Sequence, residues 1–205
     1  MASVGILGGT FNPPHLGHLA LARSARDELQ LDRMALMPAH SAPHKPDELD
    51  PGPERRLAMC RLLVAGEDAT SVCALEIERG GVSYTVDSLW ALHAAHPAVQ
   101  LTLVVGADVA ATIGSWRDPR AVLELAGLAV AVRAGAARRR ALAAVHELEV
   151  DADVRFLQMP PIDVSSSMVR RRVVWGEPIE HLVGPAVAGY IAEHGLYRAD
   201  GEERS

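Results

Sequence analysis

The sequence predicts a doubly wound α/β fold, a single domain built on one mostly parallel sheet. Three observations carry that expectation. Short apolar runs ending at glycine or proline alternate with stretches whose apolar residues recur at helical spacing. Strand and helix repeated in that order need right-handed crossovers, and so parallel neighbours. The length of 205 residues suits one domain able to bury a sizeable core, and no internal repeat or linker divides it.

The elements follow in order. Val4–Leu7 is an apolar run closed by Gly8-Gly9, a buried first strand and a tight turn. Leu19, Ala22, Ala25 and Leu29 share one helix face, which predicts a helix over His18–Leu29. Met34–Met37 reads as a second strand stopped by Pro38, and the proline-rich stretch from Pro38 to Pro53 as a loop long enough for function. A helix over Arg55–Val64, an extended segment over Val72–Ile77 and a helix over Tyr84–His96 come next, the last ended by Pro97. Leu101–Val105 is a buried strand stopped by Gly106. Then come helix Pro119–Leu125, strand Leu128–Val132, helix Ala136–Val145 and strand Val154–Leu157. A polar turn at Asp163–Ser167 opens a helix through Trp175, and a last helix covers Pro185–His194.

Composition removes several function classes. Hydrophobic residues at 49% and charged residues at 22% exclude wholesale disorder, and aromatics at 4% leave Ala, Val and Leu to fill the core. A net charge of −6 and a pI near 5.8 give no global positive field for nucleic acid or an anionic membrane, so phosphate chemistry must use local clusters. Apolar runs such as Leu101–Val105 are too short to cross a bilayer, and Met1–Leu7 lacks the basic start of a signal peptide. Cys60 and Cys73 form no CxxC, so a reducing cytoplasm is expected.

In such sheets ligands bind at the carboxyl ends of strands, which directs attention to four post-strand loops. The first holds Gly8-Gly-Thr-Phe-Asn-Pro-Pro-His-Leu-Gly-His18. Its glycines let backbone amides approach a phosphate, and the following helix adds positive charge at its N-terminus. It matches neither GxxxxGK[ST] nor GxGxxG; in their place His15 and His18 frame the helix entrance, able to donate to phosphate oxygens as charge develops. In the last loop, Val164-Ser-Ser-Ser-Met-Val-Arg170 sets three hydroxyls at a helix start, a cap plus free donors, with Arg170 able to meet the same anion and Arg171 and Arg172 on other faces. Pro38–Pro46 presents His40, His44 and Lys45 on a basic loop. The i, i+4 spacing of the two histidines invites a metal reading, but Pro43 prevents a helix and no carboxylate or Cys completes a set. Ser83 and Thr85 open a helix whose amides can hold a carboxylate or simply be capped. After Gly106 and Asp108, Trp116 can stack on a planar ring or pack in the core.

The first of these motifs resembles the signature of the HxGH nucleotidylyltransferases, relatives of class I aminoacyl-tRNA synthetases that pass AMP or CMP from a nucleoside triphosphate to a phosphate acceptor. Its full form is most similar to the bacterial nicotinate mononucleotide adenylyltransferase branch, although that branch more often has Asp where Asn12 stands. The similarity spans residues 5–197 and includes the SSSxxR element, a PHK segment, SYTVDSL and a terminal Tyr190-Ile-x-x-His-Gly-Leu-Tyr197. The resemblance implies a Rossmann-like nucleotidylyltransferase domain over residues 1–199; residues 200–205, with three acids and an arginine in six, read as a disordered tail. It also implies ATP and nicotinate mononucleotide as substrates, with Mg²⁺ arriving on the ATP phosphates rather than in a protein metal site. Carried over residue by residue, the catalytic groups are His15, His18 and Arg170. ATP falls to these three with Gly8, Gly9, Thr10, Phe11, Ser165, Ser166, Ser167 and Arg133; the acceptor falls to His44, Lys45, Thr85, Gly106, Asp108, Trp116 and Arg117. A homo-oligomer is compatible with the sequence. Two other readings stay open: a sibling such as phosphopantetheine adenylyltransferase, which is usually shorter and would not explain Ser83–Ser88 or Trp116, and a nucleotide-binding module without chemistry, which would not need His15, His18 and Arg170.

Overall fold

The structure, a computed structural model, describes residues 1–42, 49–132, 136–158 and 163–198. In chain order its first half contains β1 (Ser3–Gly9), α1 (Leu16–Leu29), β2 (Arg33–Pro38), α2 (Pro53–Leu63), β3 (Thr70–Val72), α3 (Leu75–Arg79) and α4 (Thr85–Ala95). The second half contains β4 (Gln100–Gly106), α5 (Ala107–Ala110), a 3₁₀ turn at Ile113–Ser115, α6 (Pro119–Leu125), β5 (Gly127–Val132), α7 (Ala136–His146), β6 (Val154–Gln158), α8 (Ser166–Val174), α9 (Glu180–Val183) and α10 (Pro185–Glu193). The six strands form one sheet in the order β3-β2-β1-β4-β5-β6, and every pairing is parallel. The doubly wound expectation therefore holds.

Strand alternation divides the core in two. Leu7, Val104, Ala129 and Leu157 face one side, packed by α1, α2, α8, α9 and α10. Ile6, Leu103, Val105, Leu128 and Val130 face the other, under α4, α5, α6 and α7. With both faces covered, the strands read as continuous apolar runs, which is why they were visible in the sequence.

One expected element changes type. Cys73, Leu75 and Ile77 alternate as a strand would, yet β3 stops at Val72 and Leu75–Arg79 is helical. The Glu78 amide bonds the Ala74 carbonyl, Glu76 turns inward to accept from Ser88 Oγ at 2.6 Å, and Gly80 (φ 72°) ends the turn. A buried polar contact here overrides a short periodic pattern.

Strand order reverses between β1 and β4, whose following loops diverge. That crevice is where a doubly wound sheet takes its ligand.

Candidate active site

The loop leaving β1 turns sharply into α1. Phe11 adopts φ 53°, a left-handed conformation uncommon for a bulky side chain. Its buried ring lies where a Cβ on Gly9 would come within 3.3 Å, and meets the His18 ring edge-on at 4.8 Å. His15 is the N-cap of α1 and His18 stands three residues on, one turn away on the same face. The two imidazoles stack, with centroids 3.7 Å apart and planes 24° from parallel. The His15 amide donates to His18 Nδ1 at 3.1 Å, which puts the proton of a neutral His18 on Nε2 and leaves that N–H as a donor. Burial lowers the His15 pKa to about 4, and burial together with the neighbouring His15 holds His18 well below the ordinary value. Without a ligand the pair is neutral at pH 7, and an anion beside it favours proton uptake.

The far end of the chain closes onto this loop. Ser165 caps α8 by accepting from the Met168 amide at 3.2 Å. Ser166 Oγ donates to the Pro13 carbonyl at 2.8 Å, and Arg170 Nη1 donates to the Asn12 carbonyl at 2.6 Å. Gly17 is required by proximity: a Cβ there would meet Val164 Cγ1 at 2.9 Å and His15 Nδ1 at 3.0 Å. Ser167 is exposed at the mouth of the helix. Arg171 and Arg172 do face elsewhere, the first over the Trp175 ring at 5.6 Å and the second 3.5 Å from Glu177.

Across the crevice, Thr85 is the first residue of α4, whose N-cap Tyr84 supplies no side-chain cap; the Asp87 amide donates to the Tyr84 carbonyl at 3.1 Å, and the Thr85 and Val86 amides before it are the ones placed to meet an anion. Trp116 is partly buried against the second core, and its Nε1 donates to Thr112 Oγ1 at 3.3 Å. The Arg117 guanidinium pairs with Asp87 at 3.2 Å and lies 4.9 Å above the Tyr84 ring, tying the Trp116–Arg117 backbone to the start of α4. Gly106 caps α5, while the Asp108 carboxylate is 94% exposed and 3.6 Å from Arg140. His44, Lys45 and Arg133 lie outside the described residues.

Sequence reasoning missed Arg56, a buried arginine at this same end of the sheet. The signal existed: it shares a helical stripe with Met59, Cys60 and Leu63, where a cation must find internal partners. Among the described residues no group of three or more His, Cys, Asp or Glu could hold a metal. No helix of the described residues is long and apolar enough to cross a membrane. A cavity of about 250 Å³ lies at the opposite end of the sheet, lined by strand starts such as Ser3, Gln100 and Gly127, away from every group named above.

Comparison with known proteins identifies the family and the fold. Residues 6–172 match the cytidylyltransferase-like family model. A protein of Roseiflexus sp. named "probable nicotinate-nucleotide adenylyltransferase" is 41% identical over 197 residues, covering 96% of this chain and 98% of its own. One of Salinibacter ruber with the same name is 38% identical over 196 residues, with coverage of 96% and 98%. In fold, the chain is similar to the Plasmodium falciparum nicotinic acid mononucleotide adenylyltransferase complexed with NaAD, with a TM-score of 0.78, 16% identity and coverage of 96% and 98%.

Proposed function

The chain belongs to the cytidylyltransferase-like family, and on that footing we propose that it transfers the adenylyl group of ATP to nicotinate mononucleotide, releasing pyrophosphate. It is a nucleotidyltransferase, and relatives named for this activity match it over nearly its whole length. The observation that carries the reading is one crevice with two unlike walls. On one side stand the stacked His15 and His18, the start of α8 and Arg170; on the other is the uncapped start of α4 beside Trp116.

In the reaction the acceptor's phosphate oxygen attacks the α-phosphorus, and the bond from that phosphorus to the bridging oxygen breaks as pyrophosphate leaves. No covalent enzyme intermediate is needed, so positioning and charge neutralisation supply the rate. His18 Nε2–H and the His15 ring donate to phosphate oxygens, becoming more basic as negative charge gathers on the leaving group. The amides that open α8 and the Arg170 charge hold the departing pyrophosphate. The amides of Thr85 and its neighbours receive the nicotinate carboxylate, and Trp116 offers its ring face to the pyridine. Mg²⁺ would arrive on the ATP phosphates, keeping most of its waters, and would neutralise charge on the transferred and leaving groups.

The test is ATP-dependent pyrophosphate release by the purified protein with nicotinate mononucleotide, nicotinamide mononucleotide and phosphopantetheine as separate acceptors. Release with the first at the highest kcat/KM is the expected outcome. Preference for phosphopantetheine, or release with none of the three, would refute the assignment.

A further inference from the structure

The Arg56 side chain is 1% exposed, yet it lies at the ligand end of the sheet and outside every motif that marks the site. A buried cation is tolerated only when paired and hydrogen-bonded. Here Nε donates to the Asp50 carboxylate at 2.9 Å. Nη1 donates to the Thr10 carbonyl at 2.7 Å and the Ala39 carbonyl at 2.6 Å, and Nη2 donates to the His40 carbonyl at 2.8 Å. Apart from Asp50, the acceptors are main-chain carbonyls, so what the guanidinium fixes is backbone. Thr10 belongs to the triphosphate loop. His40 belongs to the acceptor side: its amide donates to Ser83 Oγ at 3.0 Å, its Nδ1 lies 3.1 Å from the Gly81 carbonyl, and the Ser83 amide donates to the Ser41 carbonyl at 2.9 Å. Ser83 leads directly into Thr85 at the start of α4. The β1–β2 ladder ends at Gly9 opposite Pro38, with one further bond from the Ala39 amide to the Gly9 carbonyl. Past that point the Arg56 guanidinium bridges the two loops.

We propose that Arg56 is a positioning residue of the transfer reaction, which through Thr10 on one side and His40–Ser83 on the other sets the spacing between the triphosphate and acceptor subsites. The proposal rests on the adenylyl-transfer reading above. In-line attack needs the reacting atoms about 3–3.5 Å apart, and a misplacement of about 1 Å from a remote change can cost about 10²-fold in rate. A group that sets spacing alters the ternary complex while leaving each substrate's own contacts in place. A group that only supports the fold alters stability and both affinities together.

The experiment uses the full chain with Arg56→Lys and Ser83→Ala. Arg56→Lys keeps the charge but cannot reach all four acceptors; Ser83→Ala removes only the bond to His40. For each protein, kcat is measured by pyrophosphate release, and dissociation constants for nicotinate mononucleotide and a non-hydrolysable ATP analogue are measured separately by calorimetry. Arg56→Lys is expected to lower kcat by about 10- to 100-fold while both single-substrate constants stay within about 3-fold. Ser83→Ala is expected to lower kcat by a smaller factor, and the double variant to fall little below Arg56→Lys alone, because both changes break one connection. If Arg56→Lys does not fold, Ser83→Ala decides on the same criteria. Unchanged kcat in the folded variants overturns the proposal, as does a loss of both affinities with turnover of the bound complex intact. The wild type judges the substrate reading by itself, since absence of pyrophosphate release there refutes that reading, whereas normal wild-type turnover with unaffected variants refutes the role of Arg56 alone.

Discussion

Acidification should destabilise the ligand-free protein in a window set by its histidine pair. His15 is 8% exposed and its pKa falls from 6.5 to about 4, chiefly through burial. The folded value lies below the unfolded one, so on lowering the pH the unfolded chain takes up its proton first. Stability from this site is therefore intact above pH 6.5, declines as the pH drops towards 4, and is lost below the folded value. At about 1.4 kcal/mol per pH unit, the His15 shift corresponds to about 3 kcal/mol. His18 adds to the loss in the same direction, because burial and the neighbouring ring depress it too. The assay is urea unfolding at half-unit steps from pH 7.5 to 4, for the wild type and His15→Asn. Asp32 and Glu67 are also held below their ordinary values, by Ser3 and Arg23 respectively, but both proteins share them and the difference cancels. The wild type should lose about 3 kcal/mol more than the variant across the window. Parallel curves would refute the claim that the pair is neutral by burial, and with it the view that the site waits in an uncharged state for an anion.

Three further outcomes are expected. Gly17→Ala would push a methyl to 2.9 Å from Val164 Cγ1, so denaturation should show a loss of about 1–3 kcal/mol and turnover should fall as α1 is pushed from Val164; unchanged values for both would refute the packing requirement. His18→Ala should preserve the fold by circular dichroism and lower kcat by roughly 10²–10³, the usual cost of one donor to developing charge, and near wild-type turnover would remove it from the catalytic set. Nicotinate mononucleotide should exceed nicotinamide mononucleotide in kcat/KM by at least ~10-fold, because the amide leaves a helix N–H facing its own NH₂. Thr85→Pro, tolerated at the first position of α4, should erase that preference in paired initial-rate series, and its persistence would show that the Thr85 amide does not read the carboxylate.

The strands and long helices were legible because a sheet covered on both faces turns burial into uninterrupted apolar runs. Short elements escaped for the opposite reason. Four-residue helices such as α5 and α9 hold too little periodicity to register, and α3 is decided by the inward turn of Glu76 towards Ser88 rather than by a pattern. The candidate site was readable as a set of side chains, since paired histidines after a glycine turn and hydroxyls before an arginine are informative in themselves. What holds them together was not readable. Arg170 reaches a carbonyl 158 positions away, and Arg56 spends its donors on carbonyls 46, 17 and 16 positions away. Every residue carries a carbonyl, so an acceptor of that kind leaves no mark in the sequence.

Pro13 and Pro14 follow Asn12, so the peptide groups that carry the Asn12 and Pro13 carbonyls have no N–H of their own. At these two peptides the loop between β1 and α1 can present oxygen but no donor, where the proposed reaction would bring the ATP phosphates. Left bare, two such oxygens would repel the phosphates. Ser166 and Arg170 donate to these very carbonyls at 2.8 and 2.6 Å, which satisfies the oxygens and brings the start of α8 and a guanidinium to the loop. The Pro-Pro step near the N-terminus and the Ser-Ser-Ser-x-x-Arg element near the C-terminus are two halves of one device. The first withdraws donors from the loop, and the second supplies donors and positive charge in their place.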